Sequence, residues 1–298
     1  MSEFLTKISG ELSDVVASAG KSIVRVDGRS RMPASGFVWS DGVIVTAHHV
    51  LERENNIQVG YGSDGETAEA TLIGSDPSTD LAVLRVIGAN LPAAVFAEPD
   101  SLRVGHLVLA LGRPGKTVRA TLGIVSALGE SWQTRIGGNI DHYLQSDVVM
   151  YPGFSGGPLV DSLGRIVGLN TSALARSVSI AIPVPTIRRV VDTILEHGRV
   201  RRGYLGIGAQ VAKLPERVAT ELGQDTGLLV VSVESGSAAD NAGLVLGDTI
   251  VALDGEPMRH LDDLLSRLTG DTVGNTVAVK IVRGGAVQDV TATIGERA

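Results

Sequence analysis

The segment YPGFSGGPLV, residues 151–160, surrounds Ser155 with Gly153, Gly156 and Gly157. Glycines allow a tight turn in which backbone N–H groups converge beside the serine hydroxyl, where they could stabilise a developing oxyanion. A serine hydroxyl is a poor nucleophile until a base takes its proton, so catalysis would also require a histidine and a carboxylate that orients it. Taken alone, the segment could also be a glycine-rich turn between two strands.

Both required groups precede the serine in the sequence. The segment VTAHHV (45–50) contains two adjacent histidines, and the unperturbed pKa of histidine, about 6.5, suits proton transfer near neutral pH. Asp80 lies directly before the apolar run LAVLRV. Each of these residues alone could be an ordinary strand-end or turn residue. The order His, Asp, Ser is harder to explain by chance, and it is the order of the chymotrypsin arrangement.

The composition is typical of a globular protein with a sizeable core, since 43% of the 298 residues are hydrophobic and 20% are charged. A net charge of −7 argues against a nucleic-acid binder, and the lack of cysteine excludes disulfides and cysteine nucleophiles. No apolar run approaches the roughly 18 residues of a membrane span, and charges near the N-terminus argue against a signal peptide. We therefore expect a cytoplasmic protein, or a periplasmic or secreted one if a leader has been trimmed.

Periodicity divides the chain into four segments. Short apolar runs between turns, from residue 22 to about 182, predict an antiparallel barrel or sandwich. Apolar residues at helical spacing predict a helix in the first 20 residues and another over 186–197 that ends at Gly198. Strand and helix patterns resume after a basic linker and end in a hairpin. The predicted segments are a helix (1–20), a β-rich domain (21–185), a helix and linker (186–202) and a second domain (203–298).

Longer stretches around these motifs resemble the HtrA (DegP/Deg) family of trypsin-like serine proteases. The resemblance covers nearly the whole chain after residue 20 and implies a mainly β fold, in which a chymotrypsin-like double β-barrel precedes a PDZ domain, a β-sandwich or barrel with two helices. The matching stretches include SGFVWSDGVIVTAHHV (35–50), TDLAVLRV (79–86), LQSDVVMYPGFSGGPLV (144–160), YLGI (204–207) and VVSVESGSAADNAGL (230–244).

The resemblance assigns the catalytic roles residue by residue. Ser155 is the nucleophile, Asp80 orients the base, and the TAxH register selects His49 as the base and leaves His48 as its neighbour. Strand alternation agrees that at most one of two adjacent histidines faces the serine. The N–H groups of Gly153 and Ser155 form the oxyanion hole. Acyl transfer of this kind needs no cofactor and no metal.

Substrate binding is also predicted from the resemblance. Met150, Ala173 and Val178 would line a pocket for small or medium aliphatic side chains, although these residues could instead be ordinary core residues. In the second domain the loop Tyr204, Leu205, Gly206 and Ile207 would bind a peptide C-terminus, whose chain adds a strand to the sheet edge. Arg201 or Arg202 could add charge there or belong to a solvated linker.

One position departs from the family pattern, because Phe154 stands where most members have asparagine. We expect Phe154 to change the rim of the site or to pack against residues 130–140. Those residues correspond to a family activation loop, and their composition indicates mobility.

The sequence thus predicts an ATP-independent serine endopeptidase that acts on unfolded or damaged proteins in protein quality control. Its PDZ domain would bind peptide C-termini or regulate the protease. By resemblance we expect a homotrimer that binds unfolded polypeptides, with no nucleic-acid partner and no membrane span. The alternative is a non-proteolytic peptide-binding chaperone or scaffold on the same fold.

Overall fold

A computed structural model describes residues 2–62, 64–89, 91–98, 101–134, 136–175, 178–200, 203–268 and 272–296. The chain forms two compact units, Met1–Val200 and Arg201–Ala298. Within the described ranges, no helix combines the length and the apolar character needed to cross a membrane.

The first six strands close into an antiparallel barrel in the order β1-β2-β3-β6-β5-β4. Valine and isoleucine dominate these strands, and their inward side chains fill the barrel, as expected for β-branched residues on a pleated surface. The strands are β1 Ile23–Asp27, β2 Ala34–Ser40, β3 Val43–Ala47, β4 Ile57–Tyr61, β5 Glu66–Asp76 and β6 Leu81–Val86.

A second closed barrel follows in the order β11-β14-β13-β12-β7-β8. A short hairpin of two strands, β9 and β10, lies between β8 and β11 and contains most of the segment that resembles an activation loop. The predicted double β-barrel is therefore confirmed. The strands are β7 Leu107–Gly112, β8 Arg119–Gly129, β9 Trp132–Gln133, β10 Asn139–Ile140, β11 Tyr143–Ser146, β12 Pro158–Asp161, β13 Ile166–Thr171 and β14 Ser179–Pro183.

Two helices flank the barrels. Helix α1, Ser2–Ala19, packs the partly buried side chains of its second half, among them Leu12 and Val16, against the largest apolar cluster. Helix α2, Val184–His197, begins two residues earlier than predicted, and its second residue, Pro185, lies in the first turn, where proline is tolerated. It ends at Gly198, whose φ of 75° is left-handed, as the sequence pattern predicted.

The second unit is built on one sheet in the order β16-β17-β18-β20-β21, with β19 paired to β18 and a separate ribbon of β15 and β22. The predicted final hairpin is present, with Arg283 opposite Ala286 at its turn. The four-residue helix α4 was not predicted. The elements are β15 Gly203–Tyr204, β16 Ile207–Lys213, α3 Glu216–Leu222, β17 Thr226–Val233, α4 Ala238–Asn241, β18 Thr249–Leu253, β19 Glu256–Pro257, α5 Leu261–Arg267, β20 Thr276–Arg283, β21 Ala286–Thr293 and β22 Gly295–Glu296.

Candidate active site

Two adjacent strands of the first barrel bring His49 and Asp80 together. Strand β3 ends at Ala47 and the chain continues into a 3-10 turn over His48–Val50, while β6 begins at Leu81. Because Ala47 pairs with Leu81 across the two strands, the residues just beyond their ends meet at the same edge of the barrel.

The Asp80 carboxylate holds the imidazole ring of His49. Nδ1 of His49 lies 2.8 Å from Oδ2 and 3.0 Å from Oδ1 of Asp80, and the His49 backbone N–H donates to Oδ1 at 2.9 Å. The hydroxyl of Thr171, in the second barrel, donates to Oδ2. Asp80 is only 2% exposed. A buried carboxylate that accepts the Nδ1 proton fixes the tautomer in which Nε2 is free to act as a base.

The turn that carries Asp80 is itself tightly held. Asp80 has a φ of 60°, a left-handed conformation that is uncommon for a residue with a side chain. The Asp76 carboxylate accepts hydrogen bonds from the Ser78 N–H and hydroxyl and from the Thr79 hydroxyl. Thr134, between β9 and β10, donates its hydroxyl to the Ser78 carbonyl at 2.8 Å, so the β9–β10 hairpin is fastened to the same turn.

Ser155 lies on the turn that precedes β12, and the flanking glycines are required by the backbone. Gly153 and Gly156 have φ values of 91° and 84°. A Cβ on Gly156 would overlap with the Ser35 carbonyl oxygen, and one on Gly153 would lie 2.5 Å from the Pro114 Cβ. Only glycine satisfies both the dihedral angle and the close approach, which explains the GxSGG pattern.

The backbone N–H groups of this turn fit an oxyanion hole. The neighbours of the nucleophile use their N–H groups internally: Phe154 donates to the Tyr151 carbonyl at 3.0 Å, and Gly156 to the Asn170 carbonyl at 2.9 Å. Within the part of the chain that the structure describes, the N–H groups of Gly153 and Ser155 donate to no protein acceptor. Two such donors beside the nucleophile could bind a developing oxyanion.

A hydroxyl that the sequence analysis did not identify lies between the nucleophile and the base. The Oγ of Ser172 is 3.2 Å from the Oγ of Ser155 and 3.5 Å from Nε2 of His49. The structure therefore brings the three predicted residues together, with Ser172 bridging two of them. Ser172 directly follows the buried strand β13, and a hydroxyl just beyond a buried strand is the signal that could have indicated it.

His48 is the neighbour of the candidate base. Its backbone N–H donates to the Asp80 carbonyl at 3.0 Å, and its half-buried ring presents an Nδ1 that has no partner among the described residues. Strand alternation does not apply to the two histidines, because β3 ends at Ala47 and both belong to the 3-10 turn. The choice of His49 rests instead on its contact with Asp80.

The expectation for Phe154 is wrong. Its side chain is fully buried among apolar residues of the second barrel, and its ring makes an edge contact with Tyr151 at 6.0 Å between centroids. The side chain is not exposed at the rim of the site, and its apolar cluster contains no described residue of 130–140. The i to i+3 turn from Tyr151 to Phe154 directs the phenylalanine inward and the next residue, Ser155, outward.

The predicted substrate-pocket residues lie on two neighbouring segments. Met150 is half-buried and packs near Phe154, Ala173 is exposed directly after Ser172, and Val178 is 40% exposed. The Ser179 hydroxyl donates to the Val148 carbonyl at 2.9 Å, which holds the two segments side by side.

The predicted carboxylate-binding loop of the second unit is held through its own carbonyl groups. Leu205 accepts a hydrogen bond from the Ala239 N–H, and Gly206 accepts one from the Glu234 N–H, both at 2.8 Å. Gly206 has a φ of 79°, and a Cβ there would overlap with Ser237.

The adjoining strand offers a place for an added peptide. Ile207 begins β16, which lies at the edge of the main sheet, and helix α5 packs beside that strand. Tyr204 donates its hydroxyl to the Glu234 carboxylate at 2.6 Å. An exposed edge strand next to a helix is the arrangement that PDZ domains use for peptides. Arg201 and Arg202 lie outside the described residues.

Comparison with known families gives two matches in chain order. Residues 34–169 match the trypsin-like peptidase domain family, and residues 203–294 match the PDZ domain family. The predicted domain types are therefore confirmed.

Curated relatives are named as serine endoproteases. A probable periplasmic serine endoprotease, DegP-like, of Rhizobium meliloti (strain 1021) is 37% identical over 285 residues, which cover 91% of this chain and 55% of that protein. A protein of the same name from Chlamydia muridarum is 35% identical over 89% of this chain and 54% of its own length. The chain thus spans about half the length of these relatives. Because they are named as periplasmic, the expectation of a cytoplasmic location gains no support.

Solved structures match over almost the full chain. The serine endoprotease from Yersinia pestis is 31% identical with a TM-score of 0.76, and the alignment covers 96% of this chain and 98% of that one. The HtrA-type protease AlgW with a decapeptide is 28% identical with a TM-score of 0.75 and similar coverage, 96% and 98%.

Proposed function

This chain belongs to the HtrA-type family of serine proteases, and on that premise we propose that it is an ATP-independent serine endopeptidase for unfolded or damaged proteins. The observation that carries the proposal is the position of His49. Its Nδ1 is held by the buried Asp80 carboxylate, and its Nε2 faces the turn that bears Ser155, with only the Ser172 hydroxyl between them.

The proposed reaction is acyl transfer to Ser155. The Ser155 hydroxyl turns from Ser172 toward His49, Nε2 takes its proton, and Oγ attacks the peptide carbonyl carbon. Asp80 stabilises the imidazolium through Nδ1–H, and the N–H groups of Gly153 and Ser155 bind the oxyanion. His49 then protonates the leaving amine, and a water molecule, deprotonated by the same nitrogen, releases the acyl group.

Specificity and peptide binding follow from the flanking segments. We propose that Met150, Ala173 and Val178 accept small or medium aliphatic side chains, since none of them carries a charge that would select lysine or arginine. We also propose that residues 204–207 bind the free carboxylate of a peptide while its backbone pairs with the edge strand β16. The peptide in the AlgW structures supports peptide binding by proteins of this architecture.

Assembly and location complete the proposal. We propose a homotrimer, a periplasmic or otherwise exported location as the names of the relatives suggest, and domain limits of 21–185 for the protease and 203–298 for the PDZ domain. Light scattering on the full chain and on a version that lacks residues 1–20 would test the trimer and the role of α1 in it. A monomer at micromolar concentration in both cases would contradict this part.

The central experiment is digestion of a denatured protein such as casein, followed by mapping of the cut sites by mass spectrometry. We expect cuts after aliphatic residues, and covalent labelling of Ser155 by a fluorophosphonate probe. The Ser155→Ala variant should lose both activities. If the wild-type protein neither cuts nor reacts, the endopeptidase proposal is wrong.

The same variant separates the alternative function. If Ser155→Ala and wild type suppress aggregation of a denatured protein equally and wild type cleaves nothing, the chain is a peptide-binding chaperone rather than a protease.

A further inference from the structure

Ser35 connects the first barrel to the nucleophile turn of the second. It belongs to β2, is 0% exposed, and lies 118 residues before its hydrogen-bond partner Gly153. The next residue, Gly36, pairs with Thr46 in β3, the strand that leads to His49. Ser35 is thus placed between the two halves of the candidate site, although it touches none of the three triad side chains.

The hydrogen bonds of the Ser35 hydroxyl have a fixed direction. The Arg113 backbone N–H donates to Oγ of Ser35 at 2.7 Å, and Oγ lies 2.6 Å from the Gly153 carbonyl oxygen. An N–H can only donate and a carbonyl oxygen can only accept, so the single hydroxyl proton must point to Gly153. The hydroxyl therefore has one stable orientation.

The Arg113 backbone is anchored in turn. Its guanidinium group donates to three carbonyl oxygens, those of Gly20, Gly62 and Lys116, at 2.6–2.9 Å. This side chain joins the end of the N-terminal helical region to a turn of the first barrel, so the donor that orients Ser35 cannot move freely.

The backbone of Ser35 also hydrogen-bonds to the turn, at the carbonyl of Ser155. Its backbone N–H donates to the Ser155 carbonyl oxygen at 3.1 Å. The carbonyl between them, that of Phe154, accepts from the Gly157 N–H at 2.9 Å. Three consecutive peptide groups are therefore fixed by their carbonyl oxygens. In a trans peptide the N–H points opposite to the carbonyl, so the hydrogen bond from Gly157 to the Phe154 carbonyl sets the direction of the Ser155 N–H. Ser35 holds the peptide groups on both sides of that one, through the Gly153 and Ser155 carbonyls.

Resting on the proposed function, we propose that Ser35 is a positioning residue for the oxyanion hole, which acts by fixing the Gly153 and Ser155 carbonyl groups. Its hydroxyl contributes to the rate only when the oxyanion forms. Substrate binding does not depend on it.

The Ser35→Ala variant tests this role. We expect kcat on an aliphatic peptide substrate to fall by about 10- to 100-fold, less than the loss of a whole oxyanion donor, while KM changes by less than about twofold. Inhibition by a peptide boronate, whose tetrahedral adduct places an oxygen in the oxyanion hole, should weaken by a similar factor. The pH at which kcat/KM is half-maximal should not move.

Ser22→Ala is the matched control, because Ser22 is also buried and its hydroxyl donates to a backbone carbonyl, that of Ala19. It should lower the unfolding temperature without changing kcat. Ser35→Thr, which keeps the hydroxyl, should recover more kcat than Ser35→Ala, and its unfolding temperature shows whether the added methyl group is tolerated.

The proposal is overturned if folded Ser35→Ala keeps wild-type kcat, or if it loses kcat while boronate inhibition is unchanged. It is also overturned if the loss appears in KM alone. These outcomes are separate from failure of the proposed function, in which the wild-type protein itself would neither hydrolyse the peptide nor bind the boronate.

Discussion

The two barrels hold their parts of the site by different means. In the first barrel the proposed base, His49, is held by side chains, since the Asp80 carboxylate accepts hydrogen bonds from His49 and Thr171. In the second barrel the proposed nucleophile, Ser155, is held by the backbone, through carbonyl hydrogen bonds and left-handed glycines at 153 and 156. We call His49 and Asp80 the base half of the site and the turn around Ser155 the nucleophile half. The base half should be sensitive to removal of a polar side-chain atom, and the nucleophile half to addition of a Cβ.

Each half also receives one hydroxyl from the opposite barrel. Thr171, at the end of β13 in the second barrel, donates to Asp80, and Ser35, in β2 of the first, donates to Gly153. Because the site lies where the barrels meet, these exchanged hydrogen bonds couple the geometry of the base to that of the nucleophile. Substitutions within one half should therefore affect that half strongly. Removal of either of these two hydroxyls, which come from the opposite barrel, should have a smaller effect.

The largest effect should come from removing the base. We expect His49→Ala to lower kcat by about 10⁶-fold, because in triad proteases the loss of the base abolishes activation of the nucleophile. His48→Ala is the control in the adjacent position, and it should keep most of the activity because its ring does not contact Asp80. Steady-state hydrolysis of an aliphatic peptide measures both, and a reversal of the two effects would contradict the assignment of the base.

The next largest loss of kcat should come from a substitution of Asp80 that keeps the size and shape of its side chain. Asp80→Asn can present its NH₂ group to Nδ1, which must then accept a hydrogen bond, and this favours the tautomer whose Nε2 carries the proton. We expect kcat to fall by roughly 10⁴-fold with KM little changed. A loss of less than tenfold, measured on folded protein at neutral pH, would mean that Asp80 does not set the tautomer.

The contrast also explains which parts of the site could be predicted from the sequence. His49, Asp80 and Ser155 each lie on a short motif that signals its local structure, and the structure brings all three together. Ser35 and Thr171 hydrogen-bond to partners that lie 118 and 91 residues away in the sequence. A contact between residues so far apart leaves no local sequence pattern. The double barrel could be predicted because it depends on repeated apolar strands rather than on any single contact.

Errors in the prediction arose where the chain changes direction. Alternation along β3 could not distinguish the histidines, because the strand ends at Ala47 and a 3-10 turn follows. Phe154 was expected to change the rim of the site or to pack against residues 130–140, yet the turn from Tyr151 directs it into the core. Turn geometry depends on hydrogen bonds that periodicity does not encode.

The nucleophile half should be sensitive to a single added carbon atom. In Gly156→Ala the Cβ would overlap with the Ser35 carbonyl and the Thr46 hydroxyl, at a left-handed φ of 84°. We expect a loss of roughly 2–5 kcal/mol in the free energy of unfolding and about 10²-fold in kcat from displacement of Ser155.

Gly164→Ala is the matched control for that substitution, because Gly164 has a similar φ of 76° and its nearest neighbours would lie 3.7 Å from a Cβ. It should lower the free energy of unfolding by only about 1–2 kcal/mol, the cost of a left-handed φ for a residue with a side chain, and kcat should stay normal. Denaturant unfolding and peptide hydrolysis compare the two variants. Equal kcat values in both would show that the turn tolerates displacement and that the nucleophile half is less rigid than described.

The smallest effect concerns the hydroxyl that the second barrel supplies to the base. Thr171→Val keeps the volume of the side chain but leaves the Asp80 carboxylate with one donor fewer. We expect kcat to fall about tenfold, which corresponds to the low end of the roughly 1.5–3 kcal/mol of a hydrogen bond to a charged group.

Thr186→Val is the control for Thr171→Val, because Thr186 is fully buried and donates its hydroxyl to the carboxylate of Asp141 at 2.7 Å, outside the candidate site. Burial raises the pKa of Asp141, but the hydrogen bonds from Thr186 and Arg189 outweigh it and hold that pKa below its usual value. A carboxylate with a lowered pKa stabilises the fold above the pKa of the unfolded chain, and this contribution disappears as the pH falls through the folded-state pKa. Thr186→Val should therefore be less stable than wild type at neutral pH, approach it in acid, and keep normal kcat throughout. If Thr171→Val likewise lost stability but kept normal kcat, the Thr171 hydroxyl would stabilise only the fold. The hydrogen bond that it donates across the barrels to Asp80 would then not affect the proposed base.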